Sequence, residues 1–369
     1  MNSNPVFVRA SSLLTPYGLG VDRALEAMWA GLLGVRPVAT HYGVFSLGCV
    51  EGGWCITPQD GKALARWETM LWYVAKEATE GLRPADPARA AIVVASTKGN
   101  IRHWPASQAR RPYLHEGAHW LRDNLWPGAQ VFTISMACIS GLAAVDFACR
   151  LIRQKLCSDV LVVAADELTE FVVAGFSALK ALSHQPCRPY DKHRDGINLA
   201  EAAAALWLTD QPCPGPSLGA SAVAHDGVHI SAPDRHGSGL AAAIRSVLEA
   251  EEILPSEISF VSAHGTATLY NDDMESTALA QLGLSEVPLH SLKGFLGHSL
   301  GAAALVELVI VLRAMTRRLM PASAGFTEPG TLHPLHVVTE NYPLNENRPL
   351  VLKTSSGFGG CNAAIVVKG

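Results

Sequence analysis

Val131-Phe132-Thr133-Ile134-Ser135-Met136-Ala137-Cys138-Ile139-Ser140-Gly141-Leu142 joins two patterns of different period. A β-branched apolar run, read as a strand, ends at small residues and a cysteine. Leu142, Val145, Cys149, Ile152 and Leu156 then follow at helical spacing. Cys138 therefore falls between a strand and a helix. Unpaired backbone N–H groups and the positive end of the helix dipole gather at such a helix start, and both favour thiolate over thiol. That placement makes Cys138 a candidate nucleophile, with a buried structural thiol as the alternative.

Beyond this stretch the chain has 369 residues, 49% of them hydrophobic and 17% charged, enough for one large core or two packed halves. A net charge of −4 supplies no global basic field, so no nucleic-acid partner is expected. Met1-Asn2-Ser3-Asn4-Pro5 lacks a basic region followed by a long apolar one, and the most apolar helical pattern, residues 301–312, is interrupted by Glu307. A cytoplasmic protein with no membrane partner is the expectation. Eight cysteines are scattered without a Cys-x-x-Cys pair, which predicts reduced thiols and neither a disulfide framework nor a metal site.

The early chain alternates strand and helix: strand at 6–10, helices at 21–33 and 62–81, strand at 90–95. Periodicity fades between 101 and 128 into an irregular stretch with one short helix. A near-continuous apolar strand, 159–165, follows the cysteine, and a short helix is predicted at 175–182. Gln211-Pro212-Cys213-Pro214-Gly215-Pro216 breaks any regular element and divides the chain into residues 1–215 and 216–369. The second half repeats the order, with helices at 240–250, 273–282 and 301–313 and strands at 258–263, 335–339, 350–354 and 363–367. Two α/β halves of similar layout imply sheets layered between helices.

Three more stretches can carry chemistry. His264-Gly265-Thr266-Ala267-Thr268 follows a strand, and Lys293-Gly294-Phe295-Leu296-Gly297-His298 precedes a helix rich in alanine and glycine. Ser355-Ser356-Gly357-Phe358-Gly359-Gly360-Cys361-Asn362 brackets an aromatic ring with glycines, so that Phe358 can act as a gate and its N–H can face an oxyanion. With fourteen histidines in the chain, either histidine alone reads as well as a structural residue. The recurrence of cysteine, histidine, lysine and histidine at element ends flanked by small residues points to one site.

Met136-Ala137-Cys138-Ile139-Ser140-Gly141, His264 to Thr268, Lys293 to His298 followed by Gly301-Ala302-Ala303, and Gly357-Phe358-Gly359-Gly360 resemble, in order and spacing, the motifs of the β-ketoacyl-acyl carrier protein synthases. Residues 188–201 resemble the family's Pro-aromatic-Asp…Arg-Asp-Gly segment. The elongating, Cys-His-His branch is the more similar one, since the initiating branch has asparagine where His298 stands. The resemblance implies an α/β thiolase fold, a five-layered αβαβα sandwich, and decarboxylative Claisen condensation. In it Cys138 would carry the acyl group, His264 and His298 would stabilise the enolate oxygen, and the N–H groups of Cys138 and Phe358 would form the oxyanion hole. Lys293 would supply charge near His298 and Glu307. Thr266 and Thr268 would contact the pantetheine arm, and Met136 would lie beside the acyl pocket.

The resemblance also implies an acyl carrier protein partner, a homodimer or a heterodimer with a ketosynthase-like subunit, and no cofactor beyond the carrier's phosphopantetheine. The chemistry is consistent with it: condensation of thioesters needs a soft nucleophile that also leaves well, and neutral donors facing an enolate. Met136, Ile139, Leu296 and Cys361 depart from the usual family residues and leave the acyl chain's length and shape open. Two rivals remain in view. One is a non-catalytic chain-length factor, which Cys138, His264 and His298 argue against; the other is a coenzyme A-dependent thiolase, for which Cys361 would have to supply a second thiol. Lys62 with Arg66, or Arg150 with Arg153, are candidate cations for docking an acidic carrier.

Overall fold

The computed structural model describes residues 5–52, 64–80, 82–103 and 113–369. The strands that run in line across its main sheet are β1 (Val6–Thr15), β2 (Ala90–Ala95), β3 (Gln130–Ile134), β4 (Asp159–Asp166), β5 (Ala202–Thr209), β6 (Ser217–His225), β7 (Phe260–Ser262), β8 (Leu289–His290), β9 (Leu350–Gly357) and β10 (Cys361–Lys368). In space they run β8-β7-β9-β10-β6-β1-β5-β4-β2-β3. Each half thus has one order, third-second-fourth-fifth-first, with parallel pairs around its second strand and antiparallel pairs elsewhere. The two five-stranded sheets meet at one corner, where Val6 and Phe7 of β1 pair with Leu218 and Ser217 of β6.

Strand alternation divides the core into layers. Ala91, Val93, Val160 and Val162 point into one apolar cluster together with Ile365 and Val367 of the other half. Two helices fill the space between them, α4 (Ser140–Arg153) and α9 (Ala303–Thr316). The alternate residues Ile92, Val94, Leu161 and Val163 face outward onto α2 (Arg66–Thr79) and α3 (Leu114–Leu125). Val261, Leu352, Ala364 and Val366 do the same toward α6 (Ser238–Glu251) and α7 (Leu269–Gln281). The result is the expected αβαβα sandwich. Three helices lie outside this count: α1 (Val21–Trp29), α5 (Glu170–Ala178) and α8 (Lys293–Leu296).

Several local expectations shift. The helix expected at 175–182 is α5, five residues earlier, because Thr169 caps it by accepting from the Val172 N–H. The strand expected at 335–339 contracts to a single bridge between Val337 and Leu289, since its partner β8 is two residues long. Alanines 202–205 form a strand despite high helix propensity: small side chains let α2 and α9 close on both faces of β5. Strand β6 gave no signal, being built largely of alanine, serine and glycine. Among the described residues no helix is long and apolar enough to cross a membrane.

Helices α4 and α9 approach through Gly141. A Cβ there would lie 2.8 Å from the Leu305 nitrogen, 2.9 Å from Leu305 Cβ and 3.1 Å from the Gly301 carbonyl oxygen. Only a glycine fits between two central helices this close. Gly141→Val is therefore expected to cost about 1–3 kcal/mol by overpacking, measured by urea unfolding, whereas Gly175→Ala, inside α5 with nothing within 4 Å of the added carbon, is expected to stabilise by about 0.5–1 kcal/mol.

Candidate active site

Cys138 sits in the turn between β3 and α4. Ser140 fastens that turn: its hydroxyl accepts the Met136 N–H at 2.8 Å and donates to the Ala137 carbonyl at 2.6 Å. Ala137, just before the nucleophile, is held at φ +46°, a left-handed conformation costly for a residue with a side chain. The thiol is 8% exposed. Strand β9 can come alongside because residue 357 is glycine, whose added Cβ would lie 3.0 Å from the Cys138 nitrogen. Burial pushes the thiol's pKa up, against Lys98, Lys293 and a hydrogen bond from the Phe358 N–H, which lower it. The expected preference for thiolate is thus reversed by desolvation, and the resting group is a thiol.

His264 lies just beyond β7, in a loop held from beneath by two carboxylates one helical turn apart on α7. Glu275 accepts the N–H groups of His264 and Gly265, each at 2.8 Å, with the hydroxyls of Thr354 at 2.9 Å and Tyr190 at 2.7 Å. Asp272 accepts the N–H groups of Thr266 at 2.9 Å, Ala267 at 3.1 Å and Tyr190 at 2.8 Å. The segment around Tyr190 is therefore a brace. Asp191 accepts from the backbone of Thr327 and Glu328, and Arg194 pairs with Asp273 at 2.8 Å.

His298 follows α8, donating its N–H to the Asn198 carbonyl at 2.7 Å. Its ring stands edge-on to that of His264, centroids 5.4 Å apart at 85°. Burial, followed by the nearby Lys293, lowers the pKa of both imidazoles, His298 to about 3 and His264 well below its ordinary value. Both are neutral. Lys293, wholly buried, donates to the His264 carbonyl at 2.5 Å, faces His264 Nδ1 at 3.3 Å and pairs with Glu307 Oε1 at 2.6 Å. Lys353, equally buried, lies 2.6 Å from Glu307 Oε2. Glu307 is held ionised by the two ammonium groups despite its burial.

Cys138, His264 and His298 share one cavity of about 280 Å³, which Thr266, Thr268, Gly357 and Phe358 also line. The Thr266 and Thr268 hydroxyls are 2.8 Å apart at its wall. The Phe358 ring stacks on Phe176, centroids 5.8 Å apart. Lys293 and Glu307 stand behind the histidines, outside the lining. Met136 does not line the cavity either; its side chain packs on the core between the sheets. Gly359 is turned away, its N–H given to the Ile230 carbonyl. Cys361 pairs in β10 opposite Gly357 and does not reach the cavity, which removes the second thiol a thiolase would need.

Three contributors escaped the sequence reading. Asp272 and Glu275 had a legible signal, paired carboxylates one turn apart after the His264 loop; Lys353 had none, being a lone lysine in an apolar strand. The docking cations also change. Arg66 is committed to Glu201, 2.5 Å away, and Lys62 lies outside the described residues. Arg150 and Arg153 end a helix about 21 Å long that starts beside the nucleophile, so they stand at the wrong end.

A chain of the ketosynthase (ApeO) in complex with its chain length factor (ApeC) from Xenorhabdus doucetiae has a TM-score of 0.88 to this one at 26% identity, covering 99% of this chain and 98% of the other. The ishigamide ketosynthase/chain length factor gives 0.89 at 25% identity, with 99% of each covered. The doubled sheet is the thiolase fold of condensing acyltransferases. Residues 128–212 match the family described as Beta-ketoacyl synthase, N-terminal domain, and residues 217–327 match Beta-ketoacyl synthase, C-terminal domain, together more than half of the chain. The protein belongs to the β-ketoacyl synthase family. The putative polyketide beta-ketoacyl synthase 1 of Streptomyces cyaneus is 32% identical over 66% of this chain and 62% of its own length. The 3-oxoacyl-(acyl-carrier-protein) synthase 2 of Vibrio cholerae is 24% identical over 100% of both chains.

A neutral buried imidazole carries a signature in stability. Below pH 6.5 the unfolded chain binds a proton on residue 298 that the folded one refuses until about pH 3. Stability therefore falls with falling pH across that window, by about 1.4 kcal/mol per pH unit for one such group. Urea unfolding of the parent and His298→Asn at pH 6, 5 and 4 is expected to show a shallower loss in the variant; parallel slopes would mean that the folded imidazole titrates normally.

Proposed function

We propose that the protein extends an acyl chain held on Cys138 by two carbons taken from a malonyl group on an acyl carrier protein. The observation that carries this reading is His298. Both of its ring nitrogens are buried without a hydrogen-bond partner, in the wall of the cavity that holds Cys138. An unpaired buried polar group costs about 1–3 kcal/mol. A thioester oxygen that gains charge as carbon dioxide departs would satisfy it, and would do so best in the transition state.

The steps follow from the groups at hand. The Cys138 sulfur attacks the carrier-bound acyl thioester, and the carrier's pantetheine thiol leaves with the proton. Malonyl carrier then enters, with Thr266 and Thr268 contacting its arm. As the carbon–carboxylate bond breaks, its electron pair moves onto the thioester carbonyl, and His264 and His298 donate to the enolate oxygen. The enolate carbon attacks the acyl-cysteine carbonyl, whose oxygen takes the N–H groups of Cys138 and Phe358, and the thiolate leaves. Phe358, resting on Phe176, is positioned to gate the cavity between the two arrivals. No cofactor beyond the carrier's phosphopantetheine takes part.

The named relatives support a carrier-bound substrate and either fatty acid or polyketide biosynthesis as the setting. The structures of ketosynthase with chain length factor favour a second, ketosynthase-like subunit as partner. Light scattering on the protein alone and with candidate neighbouring subunits is expected to give a two-chain species; a monomer in both would discard that assembly.

Intact-mass spectrometry after incubation with acyl and malonyl carrier proteins is expected to show the acyl mass on the enzyme, then a carrier product longer by two carbons. Cys138→Ala should take up no acyl group. Cys138→Gln should still release carbon dioxide from malonyl carrier, and adding His298→Ala should slow that release by about 100- to 1000-fold. Acylation of Cys138→Ala, or decarboxylation indifferent to residue 298, would refute the assignment.

A further inference from the structure

Lys353 is a buried charge that the condensation steps leave without a task. It lies in β9, wholly buried, with its ammonium 2.6 Å from Glu307 Oε2 and donating to the Thr354 carbonyl at 2.7 Å. Lys293 already occupies Oε1 at 2.6 Å. One carboxylate thus lies between two ammonium groups. A single lysine would suffice to pair Glu307, and burying a second charge carries a desolvation cost that pairing alone does not explain.

The reason lies in what Glu307 would otherwise do. Of the charged groups acting on His298, Lys293, Lys98 and Lys353 disfavour an imidazolium, whereas Glu307 favours one. His264 is faced by Lys293, Lys353 and His298, all of which disfavour its protonation. The other buried carboxylates nearby are occupied: Glu275 by the N–H groups of His264 and Gly265 and the hydroxyls of Thr354 and Tyr190, Asp272 by the N–H groups of Thr266, Ala267 and Tyr190, and Asp166 by those of Gly301 and Thr97. Glu307 is therefore the anion with which an imidazole of this pair could form a buried ion pair, and His298 has both ring nitrogens free to enter it.

We propose that Lys353 is a positioning residue of the condensing centre: it holds the second oxygen of Glu307, so that the carboxylate lies between two ammonium groups, neither imidazole is drawn into an ion pair and both keep a neutral N–H for the enolate oxygen. The arrangement also sets the tautomer of His264. An ammonium only donates, so Nδ1, 3.3 Å from Lys293, is the accepting nitrogen and the ring proton resides on Nε2.

The proposal rests on the decarboxylating role of the two histidines given above, and its test separates the two. In a Cys138→Gln background, malonyl-carrier decarboxylation is followed against pH with residue 353 as lysine, methionine or arginine. Lys353→Met is expected to raise the apparent pKa of the acid limb of kcat by about one unit, so that kcat falls by up to about tenfold on that limb, with the plateau kcat near pH 7 and KM each changed less than about twofold. Lys353→Arg, which keeps the charge, should retain the parental limb. A slower Lys353→Met enzyme with an unmoved acid limb would reduce Lys353 to a packing role and overturn the proposal.

The wild-type protein offers a second measurement should Lys353→Met not fold. Histidine-selective 15N spectra, assigned with His264→Asn and His298→Asn, are expected to show two neutral rings at pH 6, His264 protonated on Nε2. An imidazolium at either position would overturn the proposal. If Cys138→Gln with Lys353 intact releases no carbon dioxide, the decarboxylating role itself fails, and the spectra still decide the state of the rings.

Discussion

The contact of Gly141 with Gly301 and Leu305 is the constraint on which the rest depends. Cys138 precedes α4 by two residues, and His298 precedes the turn that opens α9. The two central helices belong to different halves, so the gap between thiol and imidazole is set by how closely their first turns pack. Asp166 at the end of β4 ties the same region together: it accepts the Gly301 N–H at 2.8 Å and the Thr97 N–H and hydroxyl. Apolar layers on either side of both sheets make this spacing stiff, because a close-packed interior tolerates little sliding.

Around that contact the charges are arranged in depth. Ionised groups stand behind the cavity, in Lys293, Glu307 and Lys353, while the candidate reacting side chains at its wall are uncharged: a thiol, two imidazoles and two threonine hydroxyls. An enolate forms only for an instant, so a permanent cation in contact with the resting thioester would stabilise ground and transition states alike. Neutral donors backed by buried positive charge respond chiefly to charge that develops. The same burial that keeps the imidazoles neutral raises the Cys138 thiol, so its attack relies on the proton having somewhere to go as the bond forms.

Much of the architecture was legible because its signals are local. The apolar run of β4, the even spacing of α4 and the Pro-Gly break at 212–216 each report on a few adjacent residues, and the cysteine and both histidines could be read from their positions at element ends. Where packing rather than local pattern decides, no element was legible. Alanines 202–205 carry no strand preference of their own and become β5 only because two helices press on them, and β6 is built of residues that say nothing of period.

The sequence by itself determined the alternation of elements and the doubled layout, and it pointed to the candidate reacting groups, since each is written in side chains that neighbour one another along the chain. Tertiary structure alone decided their states. That Cys138 rests as a thiol, that Met136 turns to the core, that Arg66 answers to Glu201, and that Lys353 shares Glu307 with Lys293 all depend on groups far apart along the chain, such as Arg66 and Glu201, 135 residues from each other. Solvent exclusion and charge pairing act through space, and no pattern along the chain encodes them.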